Sequence, residues 1–578
     1  MRNAEIADAL SELATLYELD GANRFRVLAY RDAARVIRDS PLPVAELARE
    51  GTATRLQGVG ETLQQKIVAL LDEGEIPSTT KLKRKYPATL VEVTRIPGVG
   101  AKTTRRLFEE LGIATLDDLR DAADEQRIRT LKGLGAKVEE NVLAQLDRLG
   151  DKGPGPRRLI SEVLPIAEQL AATLRAHPAS ERVEIAGSAR RGTETCKDID
   201  LIATAKKPVE LAAALAEHPL AAEAGNPGDA GARITTHNGI PVDLRIVEPG
   251  AFGNLLQHFT GSADHNVQLR ELALKKGLSV SEHGITNTET GKVTKCKTEA
   301  QVYRRLGLPY VEPELREGTG EISAAREGEL PELVELVDVR GDMHCHTTLS
   351  DGLNSLEEMV AAARARRYSY LAITDHSASH GFGNDVTPDA LRRRIEDVHA
   401  LDRKLRGFKV VAGSEVNIHP NGSLDYADDL LAELDWVIAS VHTSFRISAK
   451  RMTDRFIAAM DHPSVDCIGH LTGRQILTRE PYDVEVERIV EKALETGTML
   501  EINGNPRRRD LSEHHARLAA EAGVRIVLNT DAHRVETLAN MRFGVMTARR
   551  AWLSADQIAN TGSWRSFSRL RKRVRSGG

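Results

Sequence analysis

Apolar positions in the first 148 residues recur three and four apart, the spacing of helices that bury one face. Three short Gly-x-Gly turns interrupt them. From about residue 150 to 250 the rhythm changes, and apolar runs of strand length alternate with helical stretches. Pro241-Val242-Asp243-Leu244-Arg245-Ile246-Val247 reads as a strand in which Asp243 is flanked by apolar residues. From Gly318 to Val337 the chain is acidic and rich in small residues, the composition of a linker. Past it, short apolar runs end in His, Asp or Glu and are separated by helical stretches. Ligand-type residues at strand ends, between helices, predict a β/α barrel. With 578 residues the chain is too long for one core, so several domains are expected.

The densest chemistry is Gly187-Ser188-Ala189-Arg190-Arg191-Gly192, followed by Asp198-Ile199-Asp200. On a strand, residues i and i+2 share a face, so Asp198 and Asp200 can hold hard cations side by side. The glycine turn offers backbone N–H groups, the Ser188 hydroxyl and the Arg191 guanidinium to phosphate. Asp243 supplies a third acid, and an acid in an apolar run calls for a cation partner. This is the equipment of two-metal phosphoryl transfer.

Together with Phe259-Thr260-Gly261-Ser262 and Asn266, these segments resemble the palm and thumb of X-family DNA polymerases, the polymerase β group. The resemblance implies two Mg2+ or Mn2+ ions on Asp198 and Asp200, with Asp243 holding the one at the primer 3′ oxygen. It implies that Gly187, Ser188 and Arg191 take the phosphates of a deoxynucleoside triphosphate. His258, Phe259, Gly261 and Asn266 then frame the nucleotide. Arg270 reaches the template minor groove, and Arg245 steers Asp243. His258 departs from the family pattern, which has Tyr there and uses it to exclude ribonucleotides.

The three turns are Leu56-Gln57-Gly58-Val59-Gly60, Ile96-Pro97-Gly98-Val99-Gly100 and Leu131-Lys132-Gly133-Leu134-Gly135, each followed by a helical stretch bearing a lysine: Lys66, Lys102 and Lys137. They resemble helix-hairpin-helix elements, whose N–H groups at a helix start suit a DNA phosphate. Gly58, Gly60, Gly98, Gly100 and Lys102 are the expected contacts, binding backbone without reading sequence. Lys66 stands at the spacing of the family's Schiff-base lysine. The lysine one turn earlier is replaced by Thr62 and another basic partner by Arg26, while Tyr30 is kept. Two readings of Lys66 stay open, a deoxyribose phosphate lyase nucleophile and a plain phosphate contact.

Twelve of the 18 histidines follow residue 340. His344 and His346, in Asp342-Met343-His344-Cys345-His346, are again i and i+2. The runs Ile373-Thr374-Asp375-His376, Gly413-Ser414-Glu415, Ser440-Val441-His442, Ile468-Gly469-His470 and Asn529-Thr530-Asp531-Ala532-His533 follow. The series resembles the polymerase and histidinol phosphatase (PHP) family, a distorted seven-fold β/α barrel. By motif position the resemblance implies nine ligands, His344, His346, Asp351, His376, Glu415, His442, His470, Asp531 and His533. It implies up to three Zn2+ or Mn2+ ions, with Glu415 a bridge. His380, His419 and His462 read as ordinary.

Net charge is −5, so any DNA surface must be local. Four scattered cysteines suit a reducing compartment and build no thiolate zinc site. No apolar run is long enough for a membrane span. The whole pattern resembles the bacterial X-family polymerases and implies a multidomain chain. Helix-hairpin-helix domains occupy 1–82 (lyase-like) and 83–148, an α+β palm 149–250, a thumb 251–317, a linker 318–337 and the PHP barrel 338–578. The implied protein is a monomeric, cytoplasmic, nucleoid-associated repair enzyme. It would fill gaps in primer-template DNA and trim 3′ ends, with gapped DNA and deoxynucleoside triphosphates as partners and no membrane. The alternatives are a non-catalytic DNA-end scaffold and a small-molecule phosphatase. The basic run Arg569-Leu570-Arg571-Lys572-Arg573-Val574-Arg575 is either a phosphate contact or a solvated helix end.

Overall fold

The computed structural model describes residues 1–40, 42–94, 96, 99–131, 133–149, 157–381 and 384–572. Pro97 and Gly98 of the second turn, Lys132 of the third and residues 573–575 of the basic run lie outside the described residues. Contacts divide the chain into two units. The first holds the N-terminal helices and the strands between residues 180 and 246; the second holds residues 186–196 and everything from Pro249 onward.

In the first unit, helices α1 (Asn3–Leu19) and α2 (Arg24–Asp39) bury Ile6, Leu10, Leu13, Val27, Ala34 and Ile37 in one core. Helices α3 (Glu61–Glu73), α4 (Ala101–Leu111) and α5 (Ala136–Leu149) each begin directly after the second glycine of a hairpin turn. A five-stranded sheet follows, made of β1 (Ser180–Ile185), β2 (Ile199–Ala205), β3 (Ala221–Ala224), β4 (Gly231–Thr236) and β5 (Pro241–Ile246). Its spatial order is β1-β2-β5-β4-β3. Only β2 and β5 run parallel; the other neighbours are antiparallel.

In the second unit follow helices α6 (Phe252–Thr260), α7 (Ala263–Leu274) and α8 (Glu299–Arg305), and Leu269 of α7 shares a core with Val302, Tyr303 and Leu306 of α8 and its end. The stretch read as a linker is not open chain. Helix α9 (Glu321–Glu327) buries Glu321, Ile322 and Ala325. The Glu321 carboxylate meets His265 Nδ1 at 2.7 Å and accepts the Gly318 N–H at 2.9 Å, which ties the segment to the thumb. Its acidic composition concealed a buried, hydrogen-bonded carboxylate.

The barrel strands are β6 (Gly341–Asp342), β7 (Tyr370–Ile373), β8 (Lys409–Asn417), β9 (Trp436–Ser440), β10 (Cys467–Ile468), β11 (Met499–Asn503) and β12 (Ile526–Asn529). They are parallel and ordered as in the chain. An isolated bridge between Cys345 and Ala532 brings the last strand back to the first, so the seven strands nearly close. Alternation sorts the side chains. Tyr370 and Ala372 join the interior cluster, and Leu371 and Ile373 join the outer one with the helices α10 (Met541–Arg550) and its neighbours. Helix α11 (Trp564–Ser568) plugs the interior with Phe567, whose ring lies 5.4 Å from Trp436 and 5.5 Å from Tyr370. Among the described residues no helix is long and apolar enough to cross a membrane.

Candidate active sites

The hairpin tips have the form their sequence implies. Val59 and Val99 are buried anchors, while Gly58, Gly60 and Gly100 are exposed. Gly58 takes φ +84°, a region closed to most residues, and nothing lies within 4 Å of a side chain added at Gly58, Gly60 or Gly100. The tips are thus bare backbone at a helix start, open to phosphate. Lys102 is exposed beside one of them. Lys66 donates to Ser78 Oγ at 2.8 Å, and Arg26 lies over the Tyr17 ring at 3.9 Å.

The sheet of the first unit brings its acids to one cleft. Asp200 and Asp243 are register partners on the parallel strands β2 and β5, with Asp198 just before β2. All three line a cavity of about 500 Å3. Their oxygens do not close into one donor cluster, and Asp243 is paired with two arginines. Arg233 Nε donates to it at 2.9 Å, and Arg245 reaches it through Nε at 3.0 Å and Nη2 at 3.1 Å. Arg233 was not foreseen. It faces Asp243 across the β4–β5 pairing, a neighbour relation set by sheet order.

In the second unit, Gly187 and Gly192 both take positive φ (+62° and +64°) and bracket a single helical turn carrying Ser188 and Arg191. Arg191 Nε donates to Glu317 Oε1 at 2.9 Å and its Nη1 to the Thr260 carbonyl at 2.5 Å. A side chain at Gly261 would stand 3.1 Å from that guanidinium, at φ +68°, so glycine is required there. His258 and Phe259 form an edge-on pair with ring centres 5.5 Å apart. Burial lowers the imidazole pKa of His258. Asn266 spends its amide on the thumb itself, accepting from Gln257 and donating to the His258 carbonyl, both at 2.8 Å. Arg270 is exposed, its Nε 3.1 Å from the Asn266 carbonyl.

The barrel gathers every expected ligand at the C-terminal ends of its strands. Donor atoms of His346, Asp351, His376 and His533 lie within 4.8 Å of one another, as do those of His344, His346, Glu415 and Asp531, and those of His376, Glu415 and His442. His470 Nε2 joins through Glu415 Oε1 at 2.8 Å. Glu415 is shared by two of these groups and touches His470. Burial disfavours its charge, yet the imidazoles of His442, His344 and His376 hold its carboxyl well below the usual range. Burial likewise opposes charge on His344, but Glu501, Glu415 and Asp531 raise it well above an ordinary histidine. Burial pushes His346 down to about 3, helped by His533 and His376, and His442 down to about 4 against the pull of Glu415. His533 rises to about 9 despite burial, through Asp351 and Asp531.

A divalent cation fits this set. His344 Nε2, His346 Nδ1 and Glu415 Oε2 are buried and make no hydrogen bond, although His344 Nε2 and Glu415 Oε2 stand 3.3 Å apart. Buried imidazole nitrogens and a carboxylate oxygen left without a hydrogen bond are what a coordinated ion would satisfy.

Comparison with known proteins agrees with the geometry. Residues 1–76 match the helix-hairpin-helix domain, 90–148 the SAM-like helix-hairpin-helix tandem, 255–317 the DNA polymerase beta thumb and 342–505 the PHP domain. The chain is 35% identical to the DNA polymerase/3′-5′ exonuclease PolX of Bacillus subtilis (strain 168) over 576 residues, 99% of this chain and 100% of the relative. The chain belongs to the PolX family. DNA polymerase lambda of Rattus norvegicus is 25% identical over 343 residues, 54% of this chain and 56% of its own length. A probable phosphatase of Thermoanaerobacter sp. (strain X514) is 30% identical over 245 residues, 40% of this chain and 95% of its own length.

In this PolX-family chain the sequence reading passed over Glu501. It is buried on β11, bonds His344 Nδ1 at 2.7 Å and Asn529 Nδ2 at 2.9 Å, and accepts the His470 N–H at 2.8 Å. An acid inside the apolar run Met499-Leu500-Glu501-Ile502 was the available signal, the same one that marked Asp243. His380 is less ordinary than expected: it is buried and stacks 4.7 Å from His376. Part of the basic run is structural. Arg571 donates to the Asp435 carbonyl and Lys572 Nζ to the His462 carbonyl, the latter at 3.0 Å.

Proposed function

We propose that the chain is a DNA repair polymerase that extends primer 3′ ends across short gaps and trims 3′ ends by 3′–5′ exonuclease action in its PHP barrel. One observation supports the reading: a chain 35% identical to a PolX relative over 99% of its length lines one cleft with Asp198, Asp200 and Asp243 and gathers clustered His, Asp and Glu side chains at its barrel strand ends. Asp198, Asp200 and Asp243 would hold two Mg2+ or Mn2+ ions, and the barrel ligands up to three Zn2+ or Mn2+. Bound divalent ions supply Lewis-acid polarisation and charge neutralisation at phosphate oxygens.

The protein's own groups do the rest. Ser188, Arg191 and the loop N–H groups bind and orient the triphosphate. Phe259, Gly261 and His258 bound the sugar and base. Gly58, Gly60, Gly98, Gly100 and Lys102 grip the DNA backbone, with Arg270 on the template. Arg245 and Arg233 hold Asp243 when it is not ligating. In the barrel, Glu501 orients His344 through Nδ1, leaving Nε2 for coordination. Lys66, bonded to Ser78, serves as a phosphate contact. The enzyme works as a monomer in the cytoplasm.

A labelled primer on a gapped template tests both activities at once. Extension should vanish in Asp198→Ala and shortening in His344→Ala, each variant keeping the other activity. Tight DNA binding with neither activity in the unaltered chain supports a scaffold instead.

A further inference from the structure

The glycine loop is gripped by the barrel. Arg550, ending α10, donates from Nη1 to the Arg191 carbonyl at 3.0 Å and to Glu317 Oε1 at 2.7 Å, and from Nη2 to Glu513 at 2.9 Å. The same Glu317 oxygen accepts Arg191 Nε at 2.9 Å. Arg509 donates to the Gly192 carbonyl at 2.9 Å, and Arg474 pairs with Glu194. Glu317 closes the run Glu314-Leu315-Arg316-Glu317. Arg316 turns inward to Glu299 at 2.6 Å, while Glu314 and Glu317 meet the adjacent barrel residues Arg549 and Arg550 at 2.7 Å.

Arg191, Glu317, Arg550 and Glu513 therefore form an alternating row of two cations and two anions, largely shielded from water. Without Arg550 the three that remain, Arg191, Glu317 and Glu513, sum to one net negative charge. Shielded charges at this range are felt strongly, and a net negative charge repels an anionic ligand.

We propose that Arg550 of the barrel is a positioning residue for nucleotide binding in the polymerase half. By neutralising Glu317, it leaves Arg191 its positive charge for the triphosphate. Glu317, in turn, fixes the plane of the Arg191 guanidinium through Nε. The inference rests on Arg191 being a triphosphate contact. It makes the barrel part of the polymerase's nucleotide site as well as a second enzyme.

The test is single-nucleotide gap filling by the full-length chain. Arg550→Gln should raise the KM for deoxynucleoside triphosphate about tenfold while kcat stays within about twofold, a loss of binding rather than of chemistry. Exonuclease shortening of single-stranded DNA should be unchanged, which also reports an intact barrel. Arg550→Lys should recover most of the affinity. The decisive variant is Arg550→Gln with Glu317→Gln. Glutamine keeps an acceptor for Arg191 Nε but removes the charge, so KM should return to within about threefold of the starting protein. A merely structural Arg550 would leave the double variant as impaired as the single. That result, or an unchanged KM in Arg550→Gln, overturns the proposal. Arg191→Ala separates the two levels: a raised KM there with none in Arg550→Gln sinks only the coupling, and an unchanged KM in Arg191→Ala sinks the Arg191 assignment together with it.

Discussion

Arg233 and Asp243 face each other across neighbouring antiparallel strands, the guanidinium Nε 2.9 Å from the carboxylate. On the proposed function, Asp243 is thus held by a cation that an incoming metal would have to displace. The Arg233 side chain is 70% exposed and Asp243 22%, so the pair is worth no more than about 1 kcal/mol. Arg233→Ala should lower the Mg2+ concentration for half-maximal extension by up to about fivefold. A Mg2+ titration of single-nucleotide incorporation measures it, and an unchanged or higher requirement contradicts the competition.

Glu501→Gln removes the charge that pairs with His344 Nδ1 while keeping its shape. Loss of such an outer partner typically weakens metal binding about 10- to 100-fold. The variant should retain fewer equivalents of Zn2+ or Mn2+ after dialysis, measured by mass spectrometry, and trim 3′ ends slowly. Gap filling should be unaffected.

Glu299 sits between Arg190 and Arg316 at 2.6 Å from each. Burial opposes its charge, but the two guanidiniums bring its carboxyl from 4.5 to about 2. A depressed folded pKa gives stability that is full above the unfolded value and is lost as pH falls toward the folded one. Glu299→Gln should destabilise the second unit by roughly 3 kcal/mol at pH 7. The gap between the two denaturation midpoints should begin closing near pH 4.5 and continue to close toward pH 2. A gap constant down to pH 3 contradicts the assignment.

His258→Tyr should increase discrimination against ribonucleotides, since the larger ring crowds a 2′-hydroxyl. Single-nucleotide extension with matched deoxy- and ribonucleotides reads the ratio. Equal ratios in the two proteins remove His258 from sugar selection.

The clustering at the barrel mouth was legible in the sequence because parallel strands end on one face, so each apolar run announced the His, Asp or Glu that joins the cluster. His344, His376, Glu415, His442 and Asp531 all obey that rule. The hairpin tips were legible because Gly-Val-Gly needs a buried valine between two bare glycines. Arg233, Arg550 and Glu317 were not legible, since their meaning comes from neighbours distant in the chain. Glu321 misled for the opposite reason: an acidic stretch looks solvated until His265, more than 50 residues earlier, is found beside it.

The most direct test is anomalous diffraction from crystals of the full chain with gapped DNA, a non-hydrolysable nucleotide and Mn2+. Peaks should appear on Asp198, Asp200 and Asp243, and among His344, His346, Glu415, His442, Asp531 and His533. Well-ordered density with no peak at either centre would contradict the account.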